Sequence, residues 1–358
     1  MVGNFDQCPI PLSSILMCIE DFSDPEVFAL LETVPDSFIR MNDVTKAIPT
    51  RSLTLIANML LRGCGGRAIM VLANDVADWG DALKIPTNTN TRSMYLPSNT
   101  QFGQQGINLS ISQISIDFFI FGRNKTRNLI TLLNLSRYIS SDICYYNDIT
   151  EDQINKFYNE FWACLQRRFA WETGIRCRIS EGWQKKTYGN YNFKTTDLMS
   201  PSVCDENYTF MVEFSPSQNS VIAGNTFALQ VSFLYTNEKR ERILRVVNHC
   251  AKLSNNIADV MGSVDYATLT NTLFKKYLTQ FYQSTPLIDI NMTLLNQAKK
   301  IYSQYQQMCQ KKIQEQGYDA LAWFPFQMLG VLKHPIFCMQ NIASYNCAVD
   351  YRNCMRLN

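Results

Sequence analysis

Apolar residues in the first 150 positions form short runs that alternate with stretches of helical periodicity. The pattern predicts a buried strand at 11–21, a helix at 24–38 and a second helix at 52–62, with Asp24 and Ser52 as their N-caps. The glycine-rich segment 63–66 ends the second helix, and the continuous apolar run 67–75 is typical of a strand buried on both faces. A helix end and strand follow in 108–122, then a helix and strand in 128–146. This alternation predicts a parallel α/β sheet.

The pattern changes twice after position 150. Residues 151–172 have the periodicity of one amphipathic helix that includes Trp162, Phe169 and Trp171 as packing residues. Residues 175–247 then show short segments of period-two alternation separated by turns, which predicts an antiparallel all-β unit. From 251 onward the helical period returns. We therefore expect an α/β plus all-β plus all-α multidomain protein, divided at 1–150, 151–250 and 251–358.

Composition limits the possible partners. The 358 residues carry 33 Lys and Arg against 31 Asp and Glu, a formal charge of +2 that gives no global attraction to nucleic acid. No apolar run reaches the roughly 20 residues that a membrane-spanning helix needs. The N-terminal residues lack the basic and apolar regions of a secretory signal. Any contact with a membrane is therefore expected at its surface.

The familiar catalytic and metal-binding motifs do not occur in the sequence. There is no phosphate-binding P-loop, no nucleophile elbow and no zinc-protease helix motif. The only histidines are His249 and His334, which leaves little for a catalytic triad or a histidine metal site. The twelve cysteines occur singly, as expected of reduced thiols, and a cysteine nucleophile beside His249 is the one enzymatic alternative left open.

Seven segments in fixed order resemble the Sec24 family of vesicle-coat proteins. They run from GGRAIMVLAN with WGDALK, through ISIDFFIF, LITLLNLSRYISSDICYYND, GIRCRISEGW, YGNYNFKTTDL and ALQVSFLYTNEKRERILRVVNH, to QMLGVLKHPIF. The sister Sec23 family fits less well at ISIDFFIF and at the LYT string. The resemblance implies a partial von Willebrand A-like trunk, a β-sandwich and a helical domain.

The sequence also departs from the family pattern. A Thr-Gly-Gly of the family is Ser140-Ser141-Asp142 in this chain. The four-cysteine zinc ribbon, the first half of the trunk and the C-terminal gelsolin-like domain have no counterpart in the sequence. With no zinc ribbon, no cofactor and no metal are expected.

The resemblance implies a non-catalytic cargo adaptor of the COPII coat. Such a protein pairs with a Sec23-like subunit under a Sar-type GTPase. It lies on the cytoplasmic side of endoplasmic reticulum exit sites and vesicles, peripheral to the membrane, and binds export signals in the tails of cargo and SNARE proteins for transport to the Golgi. The alternatives are a degenerate coat paralogue that binds no cargo and a cysteine hydrolase.

The family's arginine-rich strand falls on Ile175-Arg176-Cys177-Arg178. Alternation places Arg176 and Arg178 on one face of a strand, where two guanidinium groups suit an acidic motif. The other interpretation is a solvated or salt-bridged strand face. A second basic group is predicted in turns of the β unit, either as a membrane-facing surface or as ordinary hairpin charges. It consists of Lys185, Lys186, Lys239, Arg240 and Arg242.

Overall fold

A computed structural model provides the fold. The structure describes residues 48–73, 76–77, 101–122, 129–189, 198–199, 203–205, 209–217, 225–283, 287–316 and 321–337, without 137, 147 and 335, together with residue 97 and isolated helical positions between 25 and 36. The strand predicted at 11–21 and the Asp24 cap lie outside these residues.

The N-terminal unit contains a parallel three-stranded sheet in which β4 (Ile114–Phe121) lies between β2 (Gly66–Leu72) and β5 (Ile143–Tyr146). All eight residues of β4 are buried, including Ser115 and Asp117 within its mostly apolar sequence. The elements of this unit are β1 (Ile48–Pro49), α1 (Thr50–Leu61), β2 (Gly66–Leu72), β3 (Val76–Ala77), α2 (Gln101–Ile111), β4 (Ile114–Phe121), α3 (Leu129–Leu133) and β5 (Ile143–Tyr146).

Two features of helices α1 and α2 follow from local sequence. Helix α1 ends as predicted, because Gly65 adopts φ 69° and its N–H bonds to the carbonyl of Leu61 at 2.7 Å. Its start was predicted wrongly: Ser52 is the third residue of the helix and is buried, so it is not the N-cap. In α2, a Cβ on Gly106 would lie 2.6 Å from the carbonyl oxygen of Leu135, so only glycine permits this close approach.

Helix α4 (Glu151–Gln166) connects the two sheets. Its N-cap is Thr150, whose side chain accepts a hydrogen bond from the N–H of Gln153. The prediction of one helix over 151–172 was wrong at its C-terminal end. Phe169 and Trp171 belong to the next strand, and Trp162 is exposed, so these aromatic residues share no helical face.

The second unit is an antiparallel β-sandwich. One sheet has the order β12-β11-β6-β8, with β9 also paired to β6, and the other consists of β7 and β10. The aromatic rings of Trp183 and Phe214 from the small sheet pack on Phe227 of the large sheet. The strands are β6 (Phe169–Ile179), β7 (Trp183–Gly189), β8 (Leu198–Met199), β9 (Val203–Asp205), β10 (Phe210–Pro216), β11 (Thr226–Thr236) and β12 (Arg242–Lys252).

The C-terminal unit is helical, as its apolar periodicity predicts. A separate apolar core joins the helices, with Leu273, Leu294, Tyr305 and Phe324 among its buried side chains. Within the described residues no helix is both long and apolar enough to cross a bilayer. The helices are α5 (Ile257–Gly262), α6 (Tyr266–Gln283), α7 (Leu287–Gln316) and α8 (Phe324–Lys333).

The structure thus has the α/β, all-β and all-α composition that the sequence predicts. The exact division at residues 150 and 250 stays a prediction.

Candidate functional site

Arg176 and Arg178 lie together on the solvent-exposed face of strand β6. The strand alternates strictly at this point: both arginines are exposed, whereas Ile175 before them and Cys177 between them are buried. Their Cα atoms are about 6.6 Å apart, as for any two alternate residues of a strand. Because the apolar residues fill the sandwich core, both guanidinium groups face away from it. The predicted common face is confirmed.

Each arginine heads a row of side chains across three strands. Arg178 pairs in register with Gln230 of β11 and Asn248 of β12, and Arg176 pairs with Ser232 and Val246. The first row is a hydrogen-bonded ladder. Arg178 Nη1 donates to Gln230 Oε1 at 3.3 Å, and Gln230 Nε2 donates to Asn248 Oδ1 at 2.9 Å. The ladder fixes one guanidinium on the face.

The guanidinium group of Arg176 is available to a ligand. Arg176 contributes its backbone carbonyl, which accepts a hydrogen bond from the hydroxyl of Ser232 at 3.5 Å. Among the described residues its side chain has no hydrogen-bond or ion-pair partner. An exposed guanidinium can bind a carboxylate through two parallel N–H groups. Of the two alternatives that the sequence left for Arg176, a salt-bridged face does not describe it among the described residues, whereas a solvated face does. Its role as a binding residue stays a prediction.

A shallow depression and an apolar strip complete the face. The depression has a volume of about 430 Å³ and is lined by all three strands, including Arg178, Asn248 and Cys250. The apolar strip follows β12, where Leu244 is 61% and Val246 is 47% exposed. Two strand spacings, about 10 Å, separate this strip from the arginines. The face therefore combines cationic donors and apolar contacts within the length of a short peptide.

A buried ionic network holds the start of β6 against the N-terminal sheet. Arg67 of β2 bonds to Asp117 of β4 and, at 3.3 Å, to Asp205 of β9. Arg167, two residues before β6, bonds to the same Asp205 oxygen at 3.0 Å and to Asp142, which precedes β5. The network connects the two sheets through residues up to 138 positions apart. It therefore fixes the orientation of the arginine face, the outer side of β6 with Arg176 and Arg178, relative to the α/β unit.

Burial controls the protonation of this network. The Asp117 side chain is only 3% exposed. Removal from water raises its pKa to about 6, although the adjacent Arg67 and a hydrogen bond from the Asp142 N–H oppose the shift. The carboxyl group therefore titrates in the mildly acidic range.

A second contact connects the sandwich to the helical unit. Lys276 of α6 donates to Glu213 of β10 at 2.6 Å, and Tyr188 of β7 donates to the other Glu213 oxygen. Burial alone would raise the pKa of Glu213, but these two hydrogen bonds outweigh it and lower the pKa. The sandwich is thus anchored on both sides and presents its large sheet outward.

The five residues of the second basic group do not share one location. Lys185 and Lys186 were expected in a turn, but they lie within strand β7 because residues 183–189 pair with β10. Lys185 Nζ donates to the carbonyl of Cys177 at 2.6 Å, and Lys186 lies over the Tyr188 ring.

The other three are close to the β11–β12 hairpin. Lys239 and Arg240 are exposed in its turn. Arg242 begins β12 and forms an ion pair with Glu172 at 3.3 Å. A membrane-facing role for the five residues stays a prediction.

Three buried or partly buried thiols of the described residues are poorly suited to nucleophilic chemistry. Burial raises the pKa of Cys144 to about 12, of Cys164 to about 11 and of Cys204 to about 12. These groups stay protonated at neutral pH, and a protonated thiol is a weak nucleophile. His249 is exposed on β12, and burial lowers the pKa of His334. Cys250 is exposed beside His249, so the cysteine alternative stays a prediction at this position.

Several contributors to the site were absent from the sequence-based prediction. The apolar residues Leu244 and Val246 and the polar pair Gln230 and Asn248 carry no motif of their own. They can be found only from the register of the strands. Once LQVSFLYTNEKRERILRVVNH is recognised as a hairpin, these residues lie in the same cross-strand rows as the arginines. The network residues Arg67 and Asp205 gave no sequence signal, because their partners are distant along the chain.

The comparison with protein families identifies one domain. Residues 170–254 match the Sec23/Sec24 beta-sandwich domain. This range contains the arginine face, its hydrogen-bonded ladder and all of β12.

Similar proteins extend over most of the chain. It is 23% identical over 316 residues to a Yarrowia lipolytica protein named protein transport protein SEC24, which covers 85% of this chain and 33% of that protein. It is 25% identical over 355 residues to the human protein transport protein Sec24A, covering 94% of this chain and 32% of that protein. The chain thus spans about a third of these relatives.

A solved structure has a similar fold. The crystal structure of the human COPII-coat protein Sec24c matches with a TM-score of 0.77 at 18% sequence identity, over 96% of this chain and 47% of that one. The likeness therefore includes the α/β, sandwich and helical units together.

Proposed function

Because the chain is a Sec24-family protein, we propose that it is a non-catalytic adaptor of the COPII coat that binds export signals in the cytosolic tails of cargo and SNARE proteins. The observation that carries the proposal is the pair of exposed guanidinium groups, Arg176 and Arg178, on the outer face of the matched β-sandwich. Acidic export signals provide the carboxylates that these groups bind.

The geometry supports a signal that combines acidic and apolar residues. A carboxylate of the peptide meets Arg176, whose side chain is not engaged by described residues, and a second lies near Arg178 on its ladder. An apolar residue of the same peptide then reaches Leu244 or Val246. Each charged hydrogen bond contributes about 1.5–3 kcal/mol, so two arginines account for a measurable but reversible affinity.

The partners that we propose are those that the resemblance of the sequence implies, and the relatives support them only as far as transport and the COPII coat. A COPII adaptor pairs with a Sec23-like subunit, acts beneath a Sar-type GTPase and lies peripherally on the cytoplasmic side of endoplasmic reticulum exit sites and vesicles. Lys186, Lys239 and Arg240 are exposed and are available for contact with anionic lipid at about 1 kcal/mol each. Lys185 and Arg242 form contacts within the protein, so we expect each of them to contribute less to lipid binding.

The test is a pull-down with a Sec23 subunit, followed by titration of the full chain with an acidic export-signal peptide. We expect wild type to bind both, and the Arg176→Ala, Arg178→Ala double variant to lose at least tenfold in peptide affinity while it retains the partner. The matched control is Arg62→Ala, an exposed arginine in the turn after α1, which should leave both interactions unchanged.

Two outcomes would contradict parts of the proposal. If wild type binds the partner but no acidic peptide, the chain is a coat paralogue without cargo binding at this face. If the double variant binds the peptide as tightly as wild type, the binding site lies elsewhere on the protein.

A further inference from the structure

Strand β12 is an outer edge of the large sheet in the part of the chain that the structure describes. It has eleven residues and pairs with β11 on one side in a continuous register without a bulge. Edge strands in natural proteins are usually kept short, bulged, charged or interrupted by proline, because an open edge can pair with another chain. β12 is long, regular and without proline, and its only such device is its basic side chains.

The pairing pattern identifies which backbone groups point outward. The N–H of Asn237 bonds to the carbonyl of Glu241, and the N–H of Leu253 bonds to the carbonyl of Asn225, at the two ends of the hairpin. Hydrogen-bonded and non-hydrogen-bonded pairs alternate along an antiparallel ladder. The odd-numbered residues of β12 therefore bond to β11. Leu244, Val246 and Asn248 direct their N–H and C=O groups to the open edge.

The side chains along this edge select a particular partner. Leu244, Val246 and Val247 are 61%, 47% and 64% exposed, so the centre of the strand is apolar on both faces. The strand also carries Arg242, Arg245 and Lys252, and no acidic residue. This composition suits an extended segment that brings apolar and acidic side chains.

A second copy of the chain is a poorer occupant. Antiparallel pairing of β12 with its own copy would bring together two strands that each carry Arg245 and Lys252 and no acidic residue, in addition to Arg242, which is paired with Glu172. Like charges on adjacent strands are destabilising. Charge complementarity therefore favours an acidic partner.

We propose that β12 binds an extended acidic segment of a partner protein, which adds to the large sheet as a further strand. This binding mode goes beyond the proposed function, because its hydrogen bonds come from the β12 backbone and not from Arg176 and Arg178, two strands further in. Main-chain bonds provide affinity in strand addition, and alternate side chains provide specificity.

The first experiment titrates the full chain with a blocked peptide of alternating glutamate and valine. The key variant is Val246→Pro, which removes an outward N–H without removing a bond to β11, a position where proline is tolerated at a sheet edge. The matched control is Val246→Thr, which keeps the N–H and the β-branched shape. We expect at least a tenfold weaker affinity for the proline variant and about wild-type affinity for threonine.

Peptide variants test the same contact without altering the protein. N-methylation of alternate peptide residues removes backbone donors and leaves the side chains, and we expect at least a tenfold loss. Replacement of glutamate by lysine should also weaken binding at least tenfold. On addition of the original peptide, hydrogen exchange of the Leu244, Val246 and Asn248 amides should slow, while the odd-numbered amides are already protected in the free protein.

Three results would overturn the proposal. One is a peptide affinity that neither Val246→Pro nor N-methylation reduces. Another is binding lost only in the Arg176→Ala, Arg178→Ala variant, which would place the peptide on the arginine face. A third is a wild-type chain that does not bind the peptide but forms a dimer, with the dimer lost in Val246→Pro. β12 would then pair with a second copy of the chain. If strand addition is retained and the arginine variant still binds the export signal, the arginine site of the proposed function is wrong and the β12 proposal stands.

Discussion

Strands β4 and β12 are both rich in apolar residues, but they occupy opposite environments. All eight residues of β4 are buried, between β2 and β5 and beneath the helices of the α/β unit. Nine of the eleven residues of β12 are exposed, because only β11 lies beside it among the described strands. The comparison shows that the neighbours of a strand, more than its own apolar content, decide whether it stabilises the fold or remains available for binding.

The largest expected effect comes from replacing one large apolar side chain in each strand by alanine. Phe118 in β4 is fully buried, so Phe118→Ala should lower the free energy of unfolding by about 4 kcal/mol through lost burial and a cavity. Leu244 in β12 is mostly exposed, and Leu244→Ala should change stability by less than about 0.5 kcal/mol. Denaturant unfolding measures both. Equal losses would show that β12 is covered in solution.

The ionic network gives the next largest effect. Arg167→Ala removes charged hydrogen bonds to Asp142 and Asp205, although Arg67 still neutralises Asp205, so it should cost about 3 kcal/mol of unfolding free energy. The adjacent Arg168 is exposed, and Arg168→Ala should cost less than about 1 kcal/mol. Thermal or chemical unfolding distinguishes the pair. A similar small loss for both would mean that the network does not connect the two sheets energetically.

A smaller effect should appear as a dependence on pH. The folded pKa of Asp117, about 6, lies above its ordinary value of 3.8, so the folded state binds the proton more tightly than the unfolded chain. The stabilisation from this proton is complete below about pH 4 and is lost as the pH rises through about 6. The loss is on the order of 2 kcal/mol.

The measurement compares wild type with Asp117→Asn, which cannot titrate. Denaturant unfolding at about pH 4 and about pH 7 should show that wild type loses more stability than the variant as pH rises, by the stated amount. Groups that do not interact with Asp117 titrate equally in both proteins, so the difference reports Asp117 and its immediate neighbours. Parallel pH profiles would indicate that the carboxyl stays ionised throughout, held by Arg67.

Local patterns predicted those features that depend on neighbours in sequence. Period-two alternation was sufficient to place Arg176 and Arg178 on one face, because successive side chains of any strand point to opposite sides. The same reasoning failed at Phe169 and Trp171, since a helical spacing of aromatic residues was compatible with the strand that tertiary pairing with β9 imposes. Lys185 was likewise assigned to a turn, but pairing with β10 extends a strand through it.

The sequence by itself determined the order of α/β, β and helical units and the common face of the arginine pair, because each depends on a repeat of polarity within a few residues. The strand predicted at 67–75 as buried on both faces is β2, where Val71 is 47% exposed, and the fully buried strand is β4. Only the tertiary structure decided that Gln230 and Asn248 form a ladder from Arg178, that Arg67 and Arg167 meet at Asp205, and that β12 ends the sheet. These features join residues far apart in sequence. Their energies arise from burial and register, which exist only once the chain has folded.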